Sequence, residues 1–315
     1  MKLPPLVHVI ERGWLSSNNI LIFDPDDDSA ATLVDSGYVG HAGQTVELVK
    51  SALAPRRGQK IGRQLVKLIN THTHSDHIGG NAALQRAFGC GIFIPAGSEE
   101  HILNWDEIAL LLAPTAQRGD RFRHDGVVRP GETFVMGGLR WQAHAAPGHD
   151  MDALIFHCPE TRLLISGDAL WEDGFGIIFG ELLGQTGALS ATRATLEMIA
   201  QLPIDNVIPG HGQPFGDVEA ALARAFKRLA AFEADPARMA RNAVKACFIF
   251  NLLDLQGLRR SELEAYLDQV PFFRDVAERL LAMDTPALAG WLLSELKKTG
   301  ALEEHDGMLL PTMAA

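Results

Sequence analysis

Four side chains that can bind a metal occupy six consecutive positions of this chain, and this cluster constrains the fold more than any other feature. The segment Asn70–Gly80 reads NTHTHSDHIGG and places His72, His74, Asp76 and His77 directly after a short apolar run. Residues two apart in an extended stretch point to the same side, so His72 and His74 can hold one ion. Asp76 and His77 lie where the chain turns into a predicted helix, and they can face a second ion. Because imidazole and carboxylate bind zinc and other first-row metals and are costly to bury uncompensated, the cluster predicts a metal centre at the end of a strand.

Short strand-like runs and amphipathic helices alternate through the first two thirds of the chain. Candidate strands, each next to turn residues, lie at 6–10, 20–23, 32–35, 65–69, 91–94, 132–135, 139–143, 154–157, 163–166 and 207–208. Helices are predicted at 45–53, 78–88, 99–112 and 190–201. This mixture predicts an α/β chain. The less regular segment 97–130 is typical of an insertion that covers an active site, with a plain surface excursion as the alternative.

From about residue 217 the pattern becomes almost entirely helical. Capping and breaker residues predict helices at 217–234, 238–255, 261–270 and 287–298. Asp306-Gly307 between apolar flanks then predicts a two-residue hairpin. We therefore expect two domains: residues 1–216, which hold the metal cluster, and residues 217–315, an all-helical, winged-helix-like domain ending in a small hairpin.

Composition excludes several classes of protein. The chain is 47% hydrophobic and 21% charged, which are ordinary values for a globular protein. Its net charge of −11 works against sequence-independent binding to nucleic acid or to an anionic membrane. Three scattered cysteines form no disulfide framework, and neither a signal peptide nor an apolar run of membrane-spanning length is visible. We therefore expect a soluble, cytoplasmic protein with a small-molecule substrate, without a membrane or nucleic-acid partner.

Three further motifs follow the histidine cluster in order: Ala-Pro-Gly-His149-Asp, Ser-Gly-Asp168-Ala and Pro-Gly-His211-Gly. Together with H-x-H-x-D-H at 72–77, they resemble the signature of the metallo-β-lactamase-fold hydrolases, in the branch that contains glyoxalase II and the lactonases. The resemblance covers roughly residues 5–216. It implies an αββα sandwich of two β-sheets with helices on both outer faces and the metals at one edge of the sheets.

The resemblance also implies a ligand set. The first ion would be bound by His72, His74 and His149; the second by Asp76, His77 and His211; and Asp168 would bridge the two. Two divalent cations are implied, zinc being expected, with iron and manganese as alternatives. Such ions lower the pKa of a shared water toward 7, so that a metal-bound hydroxide can attack a carbonyl or phosphoryl centre. Asp76 is the predicted catalytic residue, which orients the nucleophile and shuttles its proton.

Departures from named members of the family narrow the reaction. The β-lactamases of this fold carry cysteine or serine where this chain has Asp168, and the lactonases carry a tyrosine where it has Trp171. The groups with which glyoxalase II holds glutathione cannot be located. Trp171 and Phe175, with Phe179 further along the same loop, suggest an apolar or aromatic acyl pocket. Core packing is the alternative interpretation of these rings.

These features predict a dinuclear metal-dependent hydrolase that cleaves an ester, thioester or lactone of a small organic acid. Three alternatives stay open: a phosphodiesterase or single-strand nuclease, a mononuclear-iron oxidoreductase similar to persulfide dioxygenases, and a regulatory protein whose site serves folding or partner binding. The C-terminal region resembles the domain appended to the lactamase-β-like endoribonucleases. However, residues 217–315 hold 12 Lys or Arg against 15 Asp or Glu, a net of −3, which favours a lid, a substrate wall or a homodimer surface over a nucleic-acid reader.

Overall fold

The computed structural model describes residues 3–25, 30–55 and 62–312. Its first sheet has six strands in the order β1-β2-β3-β4-β5-β6. Their bounds are Val7–Ile10 (β1), Asn19–Phe23 (β2), Ala30–Val34 (β3), Gln64–Ile69 (β4), Gly91–Pro95 (β5) and Gly126–Val128 (β6). The pairs β1-β2 and β2-β3 are antiparallel, and the pairs from β3 to β6 are parallel.

The second sheet has five strands in the order β11-β10-β9-β8-β7. Their bounds are Thr133–Met136 (β7), Leu139–Ala145 (β8), Leu154–Cys158 (β9), Leu163–Gly167 (β10) and Asn206–Pro209 (β11). All neighbours are antiparallel except β10 and β11, which are parallel. Strands β8, β10 and β11 therefore run in the same direction, and their carboxyl ends meet at one edge.

The two sheets pack face to face through alternate residues of their strands. In β2, Ile20 and Ile22 face the second sheet, whereas Leu21 faces the helices on the outer side. In β10, Ile165 faces the first sheet and Leu164 faces outward. Both strands are buried on both faces, which explains their nearly continuous apolar sequences. The predicted α/β class and the αββα sandwich are confirmed.

Helices cover both outer faces of the sandwich. The outer face of the first sheet packs on α1 (Ala42–Leu53), α3 (Asn81–Phe88) and α4 (Glu99–Asn104). The shorter helices α2 and α5 cover Ser75–Ile78 and Leu112–Thr115, and α6 and α7 cover Phe179–Leu182 and Ala188–Gln201. The outer face of the second sheet packs on α6, α7 and the C-terminal helices.

The described part of the C-terminal region, residues 217–312, contains five α-helices: α8 (Val218–Ala234), α9 (Pro236–Leu255), α10 (Leu263–Gln269), α11 (Pro271–Val276) and α12 (Thr285–Lys298). A three-stranded sheet, β12-β14-β13, accompanies them, with bounds Leu258–Arg259 (β12), Leu302–His305 (β13) and Met308–Pro311 (β14). The predicted hairpin is confirmed, because Asp306 and Gly307 join β13 to β14 and both have positive φ. The short strand β12 was not predicted, so the region is not purely helical.

Two further differences from the sequence-based expectations have local causes. The helix expected over 99–112 ends at Asn104, because Trp105 adopts a left-handed conformation and the Asp106 carboxylate accepts hydrogen bonds from the next turn. A new helix, α11, begins at Pro271, since proline fits the first turn of a helix. Within the described ranges, no helix is both long and apolar enough to cross a membrane.

Candidate metal centre

The seven predicted metal ligands meet at the edge where strands of both sheets end. His72 and His74 follow β4, and His149 follows β8. Asp168 directly follows β10, and His211 lies two residues beyond β11. Side chains from four separate stretches thus converge because parallel strands deliver their carboxyl ends to one place.

Three of the histidines form the first group of donors. The ligand atoms of His72, His74 and His149 all lie within 4.8 Å of one another. Nδ1 of His74 is 2.7 Å from Nε2 of His149. The Nδ1 atom of His149 lies 2.6 Å from the carbonyl oxygen of Ile177, which fixes the ring and leaves Nε2 facing the group.

The second group contains Asp76, His77, Asp168 and His211, again within 4.8 Å of one another. Nε2 of His211 is 2.9 Å from Oδ2 of Asp76. Asp168 connects the two groups, because its Oδ1 lies 3.4 Å from Nε2 of His77 and its Oδ2 lies 3.3 Å from Nε2 of His149. This is the position that a bridging carboxylate requires.

Two independent observations indicate that these residues fit a metal ion. Nε2 of His72 and Nε2 of His77 are buried and have no hydrogen-bond partner among the described residues, which is costly for a ring nitrogen unless an ion binds it. Burial also lowers the pKa of His74 and of His149 to about 4, and holds the pKa of His72 well below its ordinary value. These three rings are therefore neutral at pH 7, which is the state that binds a metal.

Charge in the second group is arranged around a cation. Burial opposes a positive charge on His77, but the carboxylates of Asp168, Asp35 and Asp76 together raise its pKa well above the ordinary value. Burial likewise opposes ionisation of Asp168, but nearby His77 and His211 hold its pKa well below the ordinary value. The carboxylates around His77 thus stabilise positive charge at this point, which is the environment that a divalent ion needs.

Asp35 is a site residue that the sequence analysis missed. It follows β3, is buried, and its Oδ2 lies 2.8 Å from Nδ1 of His77. Thr71 connects this carboxylate to the first group: its hydroxyl donates to Asp35 Oδ2 (2.8 Å) and lies 3.1 Å from Nδ1 of His72. A carboxylate directly after an apolar strand was the available signal.

Asp35 also has a positive φ of 57°, a conformation that non-glycine residues rarely adopt. Such local strain persists where the surroundings hold the residue in place, here through the hydrogen bond from the Thr71 backbone amide to Asp35 Oδ1 (2.9 Å). The strained backbone of Asp35 therefore holds its carboxylate where it can orient the histidine ligands.

The loop that carries His211 approaches the site closely. A Cβ atom at Gly210 would lie 2.2 Å from Oδ1 of Asp168, so only glycine fits there. Asn18 supports this loop, because its side-chain amide donates to the carbonyl oxygens of Pro209 (3.0 Å) and Gly212 (2.7 Å). The glycine of the Pro-Gly-His-Gly motif thus has a steric role.

An apolar cleft opens above the donor groups. Besides five of the metal ligands, its lining is Trp14, Leu111, Gln117, Trp171, Ile177, Phe179, Ala246, Cys247 and Phe250. Leu111 and Gln117 come from the inserted segment 97–130, and the last three come from α9. The C-terminal region therefore forms one wall of the cleft.

The three aromatic residues proposed for an acyl pocket have different positions. Trp171 lines the cleft, and its indole N–H donates to Oδ1 of Asp168 (3.2 Å). Phe179 also lines the cleft and stands edge-on to His74, with ring centroids 5.4 Å apart. Phe175 instead is 1% exposed and packs against Phe232 in the apolar core.

Comparison with known proteins agrees with this geometry. The family profile described as the metallo-beta-lactamase superfamily matches residues 12–211. The chain belongs to the metallo-beta-lactamase superfamily. The resemblance deduced from the four motifs is thereby confirmed.

Curated relatives are similar over part of the chain. A hydroxyacylglutathione hydrolase of Hyphomonas neptunium is 27% identical over 172 residues, covering 53% of this chain and 57% of the relative. The protein of that name from Methylococcus capsulatus is 24% identical over 203 residues, covering 64% of this chain and 65% of the relative. The chain thus spans less than two thirds of the length of these relatives.

A solved structure shows that the likeness of fold extends further. A metallo-beta-lactamase family protein from Thermus thermophilus superposes with a TM-score of 0.57 at 18% identity. The match covers 98% of this chain and all of that protein. The C-terminal helices therefore belong to an arrangement that another member of the superfamily shares.

Proposed function

We propose that the protein is a dinuclear metal-dependent hydrolase that cleaves a thioester, in preference to the ester and lactone that the sequence also predicts. The observation that carries this proposal is the pair of donor groups joined by Asp168 at the floor of an apolar cleft. Among the three carbonyl substrates, a thioester is favoured by the similarity of this chain to proteins named hydroxyacylglutathione hydrolase.

The chain's own residues define where two divalent ions would be held. Zinc is expected, with iron and manganese as alternatives; the ligands would be His72, His74 and His149 for one ion, Asp76, His77 and His211 for the other, and Asp168 for both. Bound there, such ions lower the pKa of water toward 7 and polarise a carbonyl oxygen.

Asp76 has the position and the protonation state of a general base. Nearby His77 and His211 lower its pKa against the effect of burial, so it is ionised at pH 7. Its Oδ2 faces His211, and its Oδ1 has no hydrogen-bond partner within the described chain. Oδ1 is therefore the atom that would accept a proton from the attacking water.

The cleft would bind the organic part of the substrate. Trp14 and Trp171 stand edge to face with ring centroids 5.7 Å apart, and each ring is 5.4 Å from that of His211. With Phe179 and α9 they exclude water from the carbonyl group, which strengthens electrostatic interactions there. Trp171 also keeps Asp168 in place through its indole hydrogen bond.

The test is hydrolysis of four substrate classes: an acyl thioester, an aryl ester, a lactone and bis(p-nitrophenyl) phosphate. Metal content is measured on the wild type, on Asp168→Ala, and on Asp205→Ala as a control, since Asp205 forms an exposed pair with Arg162 away from the site. We expect thioester turnover that Asp168→Ala abolishes and Asp205→Ala retains. Turnover of the phosphodiester alone, or one iron per chain with consumption of oxygen, would contradict the proposal.

A further inference from the structure

A groove on the C-terminal helices collects half of the positive charge of that region. Six of the twelve Lys and Arg residues in 217–315 line it: Arg224, Lys227, Arg228, Arg238, Arg241 and Lys245. The one acidic side chain in the lining is Glu295 of α12. In a chain of net charge −11 this is a local reversal of sign, which attracts an anionic ligand.

Most of these cations are not neutralised by the protein. Arg224 lies 3.3 Å from Asp173, and Arg241 lies 3.3 Å from Asp235. The other four, Lys227, Arg228, Arg238 and Lys245, have no carboxylate within ion-pair distance in the part of the chain that the structure describes. The groove therefore has unpaired donors of the kind that bind phosphate.

Of the four, Arg228 has the most unusual position for a charged side chain. Its guanidinium is partly buried, with its centre 5.2 Å from the ring centroid of Phe175 and 5.3 Å from that of Phe232. Burial also lowers its pKa. The two rings stabilise the cation in part, and a bound anion would add the charged partner that it lacks among the described residues.

The groove and the cleft above the metal centre are both lined by helix α9. On α9, Arg238, Arg241 and Lys245 line the groove, whereas Ala246 and Phe250 line the cleft. The neighbouring loop also connects them, because Arg224 donates to the carbonyl oxygen of Glu172 (2.7 Å), the residue after Trp171. At 1.5 Å per residue, Arg238 and Phe250 are about 18 Å apart along the helix, so a ligand that reaches both sites is long.

We propose that the groove binds the nucleoside-phosphate end of a thioester substrate of the coenzyme A class, whose long linker carries the thioester into the cleft. This inference rests on the proposed thioester hydrolysis. The cations take the phosphates, and the half-buried ring of Trp291 in the same lining offers a surface for the base. In the reaction the oxygen of water bonds to the acyl carbon, the carbon–sulfur bond breaks, and the sulfur takes a proton, so that a carboxylic acid and a free thiol leave.

The test compares two thioesters of the same acid, one of coenzyme A and one of N-acetylcysteamine, which has a short thiol without phosphates. The ratio of their kcat/KM values is measured for the wild type, for Arg238→Gln/Lys245→Gln, and for the control Lys50→Gln/Arg140→Gln, whose cations lie on α1 and β8 beside Glu47 and Glu160. We expect the groove variant to lower the ratio about tenfold for each lost phosphate contact. The control should retain the wild-type ratio.

Adenosine 3′,5′-bisphosphate serves as a probe that needs no catalysis. Calorimetry should detect its binding to the wild type and a loss of at least about tenfold in affinity in the groove variant. Equal kcat/KM values for the two thioesters in the wild type, or nucleotide binding that the groove variant retains, would overturn the inference. Single-stranded RNA that binds more tightly than the nucleotide and is lost in the same variant would also overturn it. Absence of all thioester turnover while the nucleotide still binds in the groove would instead contradict the proposed function.

Discussion

The floor and the wall of the cleft are built in different ways. The floor consists of seven buried or partly buried polar side chains, which lie on loops and on the short helix α2 just after strand ends. Asp35 and Thr71 hold two of them, His72 and His77, in place. The wall consists mostly of apolar side chains, which come from the segment after β1, the inserted segment, the segment after β10 and α9. Under the proposed function, the floor sets the chemistry of the reaction and the wall selects the substrate, and the two touch where Trp171 donates to Asp168.

Removal of the metals should have the largest effect and should affect only the floor. Dialysis against a chelator should reduce the rate of hydrolysis to that of the uncatalysed reaction. Because enzymes accelerate reactions by about 10⁶-fold or more, the expected decrease in rate is of that size. The sandwich should persist, because its core between the sheets contains apolar side chains. Activity assays before and after addition of zinc, together with circular dichroism, check both points. Full activity in the metal-free protein would show that hydrolysis does not need the metals.

Asp35→Asn should weaken the floor indirectly. Loss of the carboxylate removes the charged partner of His77 and the acceptor shared with Thr71, so metal affinity should fall about 10- to 100-fold. Competition with a chromogenic chelator measures this change. The matched control is Asp205→Asn, whose carboxylate lies beside Arg162 at the other end of the second sheet. Unchanged metal affinity in Asp35→Asn would show that Asp35 does not position His77.

Ala246→Phe should change the wall and leave the floor intact. A ring at this position of α9 would fill part of the cleft, so kcat/KM should fall about tenfold or more for bulky acyl groups and less for acetyl. Metal content should equal that of the wild type. Loss of metal in this variant would mean that the floor depends on the wall.

Tyr38→Phe should have the smallest effect, on the attachment of α9. The Tyr38 hydroxyl donates to Oδ2 of Asp254 (3.0 Å) and accepts from the backbone N–H of Arg118 (3.2 Å). Its loss should lower the free energy of unfolding by about 1 kcal/mol, since Asp254 keeps its contact with the Arg118 guanidinium. Urea denaturation measures the change. A loss several times larger would mean that this hydrogen bond controls the packing of the whole C-terminal region.

The floor of the cleft could be predicted from the sequence, whereas the wall could not. The metal ligands lie in four short motifs, each at the end of an apolar strand, so local patterns were sufficient to propose them and the sandwich that presents them. Asp35 was missed because its role depends on a contact with His77, 42 residues further along the chain.

The wall and the groove depend on packing between distant segments. Neither Ala246 nor Phe250 carries a local signal that it faces Trp14 or Trp171 across the cleft. The charge of residues 217–315, a net of −3, concealed a segregation in which six cations of α8 and α9 share one groove. The net charge of a region does not show where its charged side chains lie, and ligand binding depends on their positions.

Whether two metal ions share Asp168 is decided by the metal content of the purified protein, measured by mass spectrometry on the wild type and on Asp168→Ala. Because Asp168 faces both donor groups, we expect two divalent ions per chain in the wild type and loss of the pair in the variant, with the fold retained. A single ion per chain that Asp168→Ala leaves in place would contradict this expectation.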